Sequence, residues 1–450
     1  MDKHSILKNL PMSNNSVHCV GIGGIGVSAI AEVLLEGGCK VSGSDSEYND
    51  NCAYLASLGA KVAPAGHRES NLPDYECGGL IMTGAVDLNN VEVAAMLRDR
   101  VMAWSRGEFL AELCRCFKRP VMVAGSHGKS SISAMLGWIV RQCGINCGLL
   151  LGAKYSDNTR RARLGDGDII VGEADESDNS LALLYGELAL VSNVDNDHAW
   201  NAEAVAAQDK AFIFFARHFK RTIYLASDKT DALFGNMANC HALSTEELQK
   251  FDAMVPAKFL GYERSNAILA LAGAEYLQLD LQQAAAALND YPGIGRRQSC
   301  LYKSDKLLIM EDYAHHPAEL AASLKVLAQR GSGRKITVVF QPHRYERLTR
   351  YFDEFVRILC DKSLQVEVME VFSAWNDVPI DAKNAGDLVQ AIRHNGGNAE
   401  LCSRDLDKLP QQLLDKAMQS TSPEMIVFIG AGSIHDLALA TSQLAGDQLS

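Results

Sequence analysis

The sequence predicts an α/β protein of three domains, each with a mostly parallel sheet and flanking helices: Rossmann-like, then of phosphate-loop type, then Rossmann-like again. Three observations predict it. Strand-length apolar runs alternate with helical stretches along the chain, the pattern of parallel strands joined by crossover helices. The pattern restarts near Arg119-Pro120, and again after the loop Tyr291-Pro292-Gly293-Ile294-Gly295, whose Pro and Gly suit a domain boundary. Finally, 450 residues exceed what one compact core holds. The expected boundaries are 1–108, 109–295 and 296–450.

In the first segment, residues 17–20 read as a strand, followed by a glycine turn, a helix at 27–35 and strands at 40–43 and 80–83. The second has strands at 121–124, 168–171 and 188–191 and a helix at 131–142. The third has strands at 306–310, 335–340, 365–371 and 425–429, with helices at 317–329, 349–360 and 385–394. There is no internal repeat and no low-complexity tract.

Composition narrows the function. Apolar residues at 47% and charged residues at 22% fit a globular enzyme. No apolar run reaches the roughly 18 residues of a membrane span. Met1-Asp2-Lys3-His4 leads into no signal-peptide core, so the chain is expected in the cytoplasm, away from membranes. A net charge of −12 argues against a nucleic-acid partner, which a basic face would serve. It does not exclude a small phosphorylated ligand, held locally by backbone N–H groups and one or two cations. The 12 cysteines include no Cys-x-x-Cys pair and read as reduced, mostly buried apolar residues.

Gly21-Ile22-Gly23-Gly24-Ile25-Gly26 matches G-x-G-x-x-G between a strand and a helix. Gly21, Gly23, Gly24 and Gly26 let a backbone approach a pyrophosphate at a helix N-terminus. Asp45, at the end of the next strand, is placed to accept from a ribose or base. The motif alone leaves the nucleotide open, NAD(P) included.

Gly125-Ser126-His127-Gly128-Lys129-Ser130-Ser131 carries more information. It ends in Gly-Lys-Ser between a strand and a helix. Its backbone donors and the Lys129 ammonium suit β- and γ-phosphates, and the Ser130 hydroxyl suits magnesium. Val123 stands where the full Walker spacing has Gly, so the loop is a shortened variant. Gly172-Glu173-Ala174-Asp175-Glu176-Ser177-Asp178 puts carboxylates at a strand end, where they suit a hard cation. Ser192-Asn193-Val194-Asp195-Asn196-Asp197-His198 follows another strand. In the third segment, Glu311-Asp312-Tyr313-Ala314-His315-His316-Pro317 and Gln341-Pro342-His343-Arg344-Tyr345-Glu346-Arg347 are expected at one sheet edge. The arginines there point to carboxylate or phosphate recognition.

In this order along nearly the whole chain, these stretches, with Ser42-Gly43-Ser44-Asp45 and Gly430-Ala431-Gly432, resemble the Mur ligase family. The Phe340-Gln341-Pro342-His343-Arg344-Tyr345 form is similar to its alanine-adding branch. The resemblance implies ATP and Mg²⁺ as cofactors and UDP-N-acetylmuramate and L-alanine as substrates, in peptidoglycan precursor synthesis. It re-reads the first glycine loop, with Ser44 and Asp45, as the holder of a UDP-sugar. It implies an acyl phosphate on the muramate carboxylate, which the amine then displaces. It places Ser130, Glu173 and His198 around the metal. Gly125 to Ser131, Asn193, Asn266, Arg296 and Arg297 fall to ATP, and Lys129, Glu173, His198, His343, Arg344 and Arg347 to catalysis.

Several positions depart from the family pattern. Ser126, Ser130 and Ser131 stand where Thr is usual. Asp-His-x-Asp reads Asp197-His198-Ala199-Trp200. Pro-Gly-x-His-Asn reads Leu260-Gly261-Tyr262-Glu263-Arg264-Ser265-Asn266, with Asn266 standing for the Asn and Arg264 a candidate to stack on adenine. Gln298 follows Arg296 and Arg297 where an aromatic or leucine is usual. Readings that stay open are a related amide-forming ligase with another substrate, a non-catalytic UDP-sugar-binding relative and, from another class, an NAD(P) oxidoreductase. Monomer and homodimer are equally compatible with the sequence.

Overall fold

The computed structural model describes residues 6–156, 160–176, 180–195, 201–373, 381–403 and 405–449. Their strands form three sheets. The first holds β1 (Ser16–Val20), β2 (Lys40–Ser44), β3 (Lys61–Val62), β4 (Leu80–Met82) and β5 (Ala103–Ser105) in the order β3-β2-β1-β4-β5, all parallel. Every residue of the central β1 is buried, as a strand covered on both faces requires.

The second sheet holds β6 (Arg119–Ala124), β7 (Gly148–Leu150), β8 (Ala162–Arg163), β9 (Ile169–Glu173), β10 (Gly186–Val191), β11 (Phe219–Tyr224) and β12 (Cys240–Ala242). Its order is β12-β11-β10-β6-β9-β7-β8, parallel except for β8, which runs against β7 at the edge. The third holds β13 (Ser299–Lys303), β14 (Leu307–Asp312), β15 (Lys335–Phe340), β16 (Leu364–Val368), β17 (Asn398–Leu401) and β18 (Glu424–Ile429), ordered β13-β14-β18-β15-β16-β17. Only β13 is antiparallel, on an edge. In all three sheets the chain leaves the central strands and later returns beside them. Open parallel sheets bind ligands at such reversals, outside the strands' carboxyl ends.

The chain divides into two compact units, Met1–Gly293 and Ile294–Ser450. The first holds two sheets and one apolar core that runs through both, from Ile22 and Leu34 through Phe109 and Phe117 to Phe212 and Phe215. Residue 108 lies inside helix Arg106–Arg115, so a helix with a Ser105–Glu108 capping box joins the two sheets. The second unit has the third sheet to itself, with an apolar layer on each face.

Two elements differ from the sequence expectation. The helix expected at 349–360 is two helices, Tyr345–Arg350 and Phe352–Leu359, meeting at Tyr351 with φ −110° and ψ 26°. Leu348 of the first helix and Phe355, Val356 and Leu359 of the second keep one apolar spacing across the break and share one core. The strand expected at 168–171 continues to Glu173, because Gly172 and Glu173 pair with Met122 and Val123 of β6. The apolar run ends at Val171, but the ladder does not. All 12 cysteines are free; half are buried and Cys300 is exposed. Among the described residues no helix is long and apolar enough to cross a membrane.

Phe355 is fully buried against Phe340, with ring centroids 5.5 Å apart. Phe355→Ala is expected to destabilise the second unit by about 3–5 kcal/mol. Chemical denaturation followed by circular dichroism checks this, through a lower midpoint for that unit's transition.

Candidate functional site

Three loop clusters lie at carboxyl ends of strands. In the first sheet the glycine loop runs from β1 into helix Ile25–Glu36, whose N-cap Gly24 has no side-chain partner to bond the first turn. The N–H of Gly23 donates to Asp45 Oδ2 at 2.8 Å, and the amides of Gly21 and Ile22 donate to the Ser44 carbonyl. Asp45 therefore braces the loop from β2 with one of its two carboxylate oxygens. A side chain at Gly26 would collide with Arg106, so glycine here admits a guanidinium beside the loop. Arg106 carries no sequence motif; only the return of the chain through β5 brings it there.

Beneath this loop lies Glu92, fully buried and part of no sequence motif. Its carboxylate takes bonds from the Ser44 hydroxyl (2.5 Å), the Arg68 N–H (2.9 Å) and Asn71 Nδ2 (2.7 Å), and meets His18 Nε2 at 3.0 Å. Burial pushes its pKa up, but these partners outweigh burial and hold it at about 2. Ser44 is thus oriented by Glu92, and by His67 at 2.9 Å, from below.

In the second sheet, β6 ends in the loop of Gly125 to Gly128, and helix Lys129–Gln142 starts at Lys129. Gly128 sits at φ 85°, and a Cβ there would come within 2.7 Å of Asn266 Oδ1. Glycine is required, and Asn266, from helix Gly261–Tyr276, lies against the loop. The loop is fastened from β10: the His127 N–H donates to Asn193 Oδ1 (2.9 Å), Ser192 Oγ to the His127 carbonyl (2.5 Å), and the Asp195 N–H to Ser126 Oγ (2.8 Å).

Lys129 Nζ donates to the Gly125 carbonyl and to Glu176 Oε2, each at 2.8 Å. Burial works against its charge, but Glu176, Asp175 and Glu173 prevail and raise its pKa. Ser130 Oγ donates to Glu173 Oε2 at 2.8 Å, and the Gly152 N–H donates to Oε1 at 2.6 Å. Burial raises the Glu173 pKa against those donors and Lys129. Ser130 and Glu173 together present oxygens only, the donor chemistry a hard divalent cation takes. His198 lies outside the described residues, and among those described no group of three His, Cys, Asp or Glu forms a metal cluster. Ser131 is buried in the first turn of the helix. Glu176 and Gly152 were missed as site residues, Glu176 within an acidic run already singled out and Gly152 with no signal of its own.

Arg264, the candidate to stack on adenine, has the edge of its guanidinium engaged within the chain. Its guanidinium donates to the Asp252 carboxylate, to the Asp252 carbonyl at 2.6 Å and to the Val255 carbonyl at 3.4 Å. These bonds fasten the start of helix Gly261–Tyr276 to its neighbour.

In the second unit, β14, β15 and β18 end side by side. Gln341 accepts the Ile434 N–H (3.1 Å) and donates to Ser433 Oγ (3.0 Å), shaping the Gly430-Ala431-Gly432 turn. Arg296 donates to the carbonyls of Gly430 (3.0 Å) and Gly432 (3.1 Å), and both Arg296 and Arg297 lie over the Tyr313 ring. His315 and His343 have centroids 5.7 Å apart, His343 stacks on Phe372, and Arg347 Nη1 meets His343 Nδ1 at 3.4 Å. Arg344 sits at φ 68° between His343 and the next helix, a conformation non-glycine residues rarely take. Burial, His315 and the arginines push His343 down to about 3, and burial and Arg347 also lower His315. Both rings are held neutral. Burial raises Asp312 to about 6, although Arg297 opposes it.

Comparison with known proteins now bears on these clusters. The Mur ligase family model, catalytic domain, matches residues 16–118, and the Mur ligase model, glutamate ligase domain, matches residues 296–432. The UDP-N-acetylmuramate–L-alanine ligase of Endomicrobium trichonymphae is 31% identical, covering 94% of this chain and 97% of its own length. The namesake from Syntrophus aciditrophicus is 32% identical over 94% and 92%. The chain belongs to the Mur ligase family. Among solved structures, the UDP-N-acetylmuramate–alanine ligase of Thermotoga maritima superposes with a TM-score of 0.78 at 23% identity, over 96% of this chain and 99% of that one. A murein peptide ligase from Psychrobacter arcticus gives 0.65 at 18%, over 95% and 98%. These two establish the Mur ligase fold for the chain. The family consists of ATP-dependent ligases, and the phosphate loop of the second sheet is the element suited to that nucleotide.

The neutral histidines set a pH dependence with a definite sign. Folded-state pKa values lie below the ordinary 6.5, so the unfolded chain binds protons first, and stability present above 6.5 is lost as pH falls toward 4. The drop in urea midpoint between pH 7 and pH 5 is therefore expected to be smaller in His343→Asn than in the parent chain. An equal or larger drop in the variant contradicts the assignment.

Proposed function

We propose that the chain is a UDP-N-acetylmuramate–L-alanine ligase, forming an amide between the muramate carboxylate and alanine at the expense of ATP, in peptidoglycan precursor synthesis. Near-full-length similarity to enzymes of that name supports the substrates. The single observation that carries the chemistry is the half-buried Lys129, its ammonium held at the phosphate loop by Gly125 and Glu176.

In this reading the loop from Gly125 to Ser131 receives the ATP phosphates through backbone N–H groups and the start of a helix. Lys129 neutralises charge that builds on the transferring phosphoryl oxygens. Asn193 and Asn266, both against the loop, belong to the nucleotide. Ser130 and Glu173, with His198, would hold magnesium, which would supply positive charge to the phosphates. The muramate carboxylate oxygen attacks the γ-phosphorus and ADP leaves. The alanine nitrogen then adds to the acyl carbon of the acyl phosphate, and inorganic phosphate departs from the tetrahedral intermediate. Gly21, Gly23, Gly24 and Gly26 take the UDP pyrophosphate, with Ser44 and Asp45 behind them. His343, Arg344 and Arg347 are assigned to substrate carboxylate or phosphate groups. The neutral His343 donates or accepts a hydrogen bond there without adding charge.

Lys129→Ala is expected to lower kcat/KM by at least about 10³-fold in phosphate release with UDP-N-acetylmuramate, ATP, Mg²⁺ and alanine, the scale of one lost charge contact to a transition state. Turnover within tenfold of the parent removes the ATP-site assignment.

The glycine loop distinguishes this reading from an oxidoreductase. Titration calorimetry is expected to show heat with UDP-N-acetylmuramate and none with NAD⁺. The reverse result overturns the UDP-sugar assignment.

A further inference from the structure

We propose that Arg161 is a positioning residue that ties the glycine loop of the first sheet to the carboxylate edge of the second, and so fixes the separation of the two substrates those edges hold. The proposal rests on the functional reading above, in which the glycine loop takes the UDP-sugar and the Glu173 edge the ATP side.

Arg161 precedes β8 and is 4% exposed. Its side chain reaches the first sheet. Nη2 donates to Ser28 Oγ at 2.6 Å, in the helix that leaves the glycine loop, and to Asn51 Oδ1 at 3.0 Å. Asn51 passes the contact on, because its Nδ2 donates to the Gly23 carbonyl at 2.7 Å. The backbone of Arg161 reaches the other site. Its carbonyl accepts the Leu151 N–H at 3.0 Å, and the next residue, Gly152, donates its N–H to Glu173 Oε1. The other oxygen of Glu173 takes the Ser130 hydroxyl. One residue thus stands two hydrogen bonds from Gly23 on one side and two residues from the Glu173 carboxylate on the other.

The chemistry of the contact favours alignment over general stability. Among the described residues both hydrogen-bond partners of the guanidinium are neutral, and its buried Nε has no partner. Glu32 acts on it only through space, and burial lowers its pKa. A buried cation so placed is a poor way to hold two layers together, since a packed apolar side chain does that at no desolvation cost. What the guanidinium supplies is directed, planar donors that set distance and angle. Two neighbouring links join the same elements: the Leu164 N–H donates to Glu36 Oε2 at 3.0 Å, and Arg160, half exposed, lies 3.9 Å from Glu32 and 4.0 Å from Glu36. Exposed ion pairs like those of Arg160 contribute little.

Alignment of two bound reactants appears in kcat, whereas local support of one binding loop appears in that substrate's KM. Steady-state phosphate release is measured for the parent, Arg161→Gln, Asn51→Ala, the double variant and Arg160→Gln, varying ATP and UDP-N-acetylmuramate in turn. Arg161→Gln is expected to lower kcat about tenfold to a hundredfold with both KM values within about threefold, the scale of a small misplacement of reacting groups. The double variant is expected to be no slower than Arg161→Gln, because both changes cut one path, and Arg160→Gln to match the parent. Multiplying losses, or a raised UDP-sugar KM with kcat unchanged, overturns the proposal. If Arg161→Gln does not fold, Asn51→Ala decides alone: a fall in kcat supports the link, and a KM effect alone refutes it. If the parent chain itself releases no phosphate with any amino acid, the functional reading has failed. Hydrogen exchange then still reads the link. Faster exchange at Gly23 and Gly152 together in Arg161→Gln supports it, and unchanged exchange at either refutes it.

Discussion

Val123 of β6 stands opposite Glu173 of β9, and most of the chemistry in the first unit depends on that register. Side chains alternate between faces along a strand, so a slip of one residue would turn Glu173 away from the phosphate loop. With the register as it is, the carboxylate meets Ser130, the helix carrying Ser130 begins at Lys129, and Lys129 finds Glu176 just past the end of β9. On the far side, Gly152 reaches Glu173 because β7 also lies beside β9. β10, the other neighbour of β6, brings Ser192, Asn193 and Asp195 to fasten the loop.

Charge is taken out of water at several points, and its partners offset the cost to different degrees. Glu92 is held ionised by donors and Lys129 by three carboxylates, whereas Arg161 has two neutral acceptors and the through-space pull of Glu32, and burial still lowers its pKa. In the second unit the cost falls on protonation state instead. His315 and His343 stay neutral among arginines, and Asp312 is raised. Groups so perturbed cluster where a protein handles charged ligands.

The parts legible in the sequence were those whose signal is local. The glycine loop, the Gly-Lys-Ser loop and the acidic strand end each carry their chemistry within seven residues, and alternation of strand and helix announced the sheets. Glu92 could not be read, because it works on His18, 74 residues away, through pairing that no local pattern encodes. Arg106, Gly152 and Arg161 have the same difficulty: each matters through which strands happen to be neighbours. Arg264 was illegible in a different way. Its position near a family motif drew attention to it, yet Asp252, twelve residues earlier, claims its guanidinium. The break at Tyr351 was invisible because the apolar spacing of the second helix runs on without regard to where the first one stops.

Helix Arg106–Arg115 has a bearing on how the protein can be taken apart. It starts off the last strand of the first sheet, and its Phe109 is buried in the core that both sheets share. A fragment ending near residue 108 would lose most of that helix and bare the apolar surface it covers. The two nucleotide-type loops of the first unit are therefore inherited together. Grafting, truncating or swapping one of them without the other means cutting through a core rather than through a hinge.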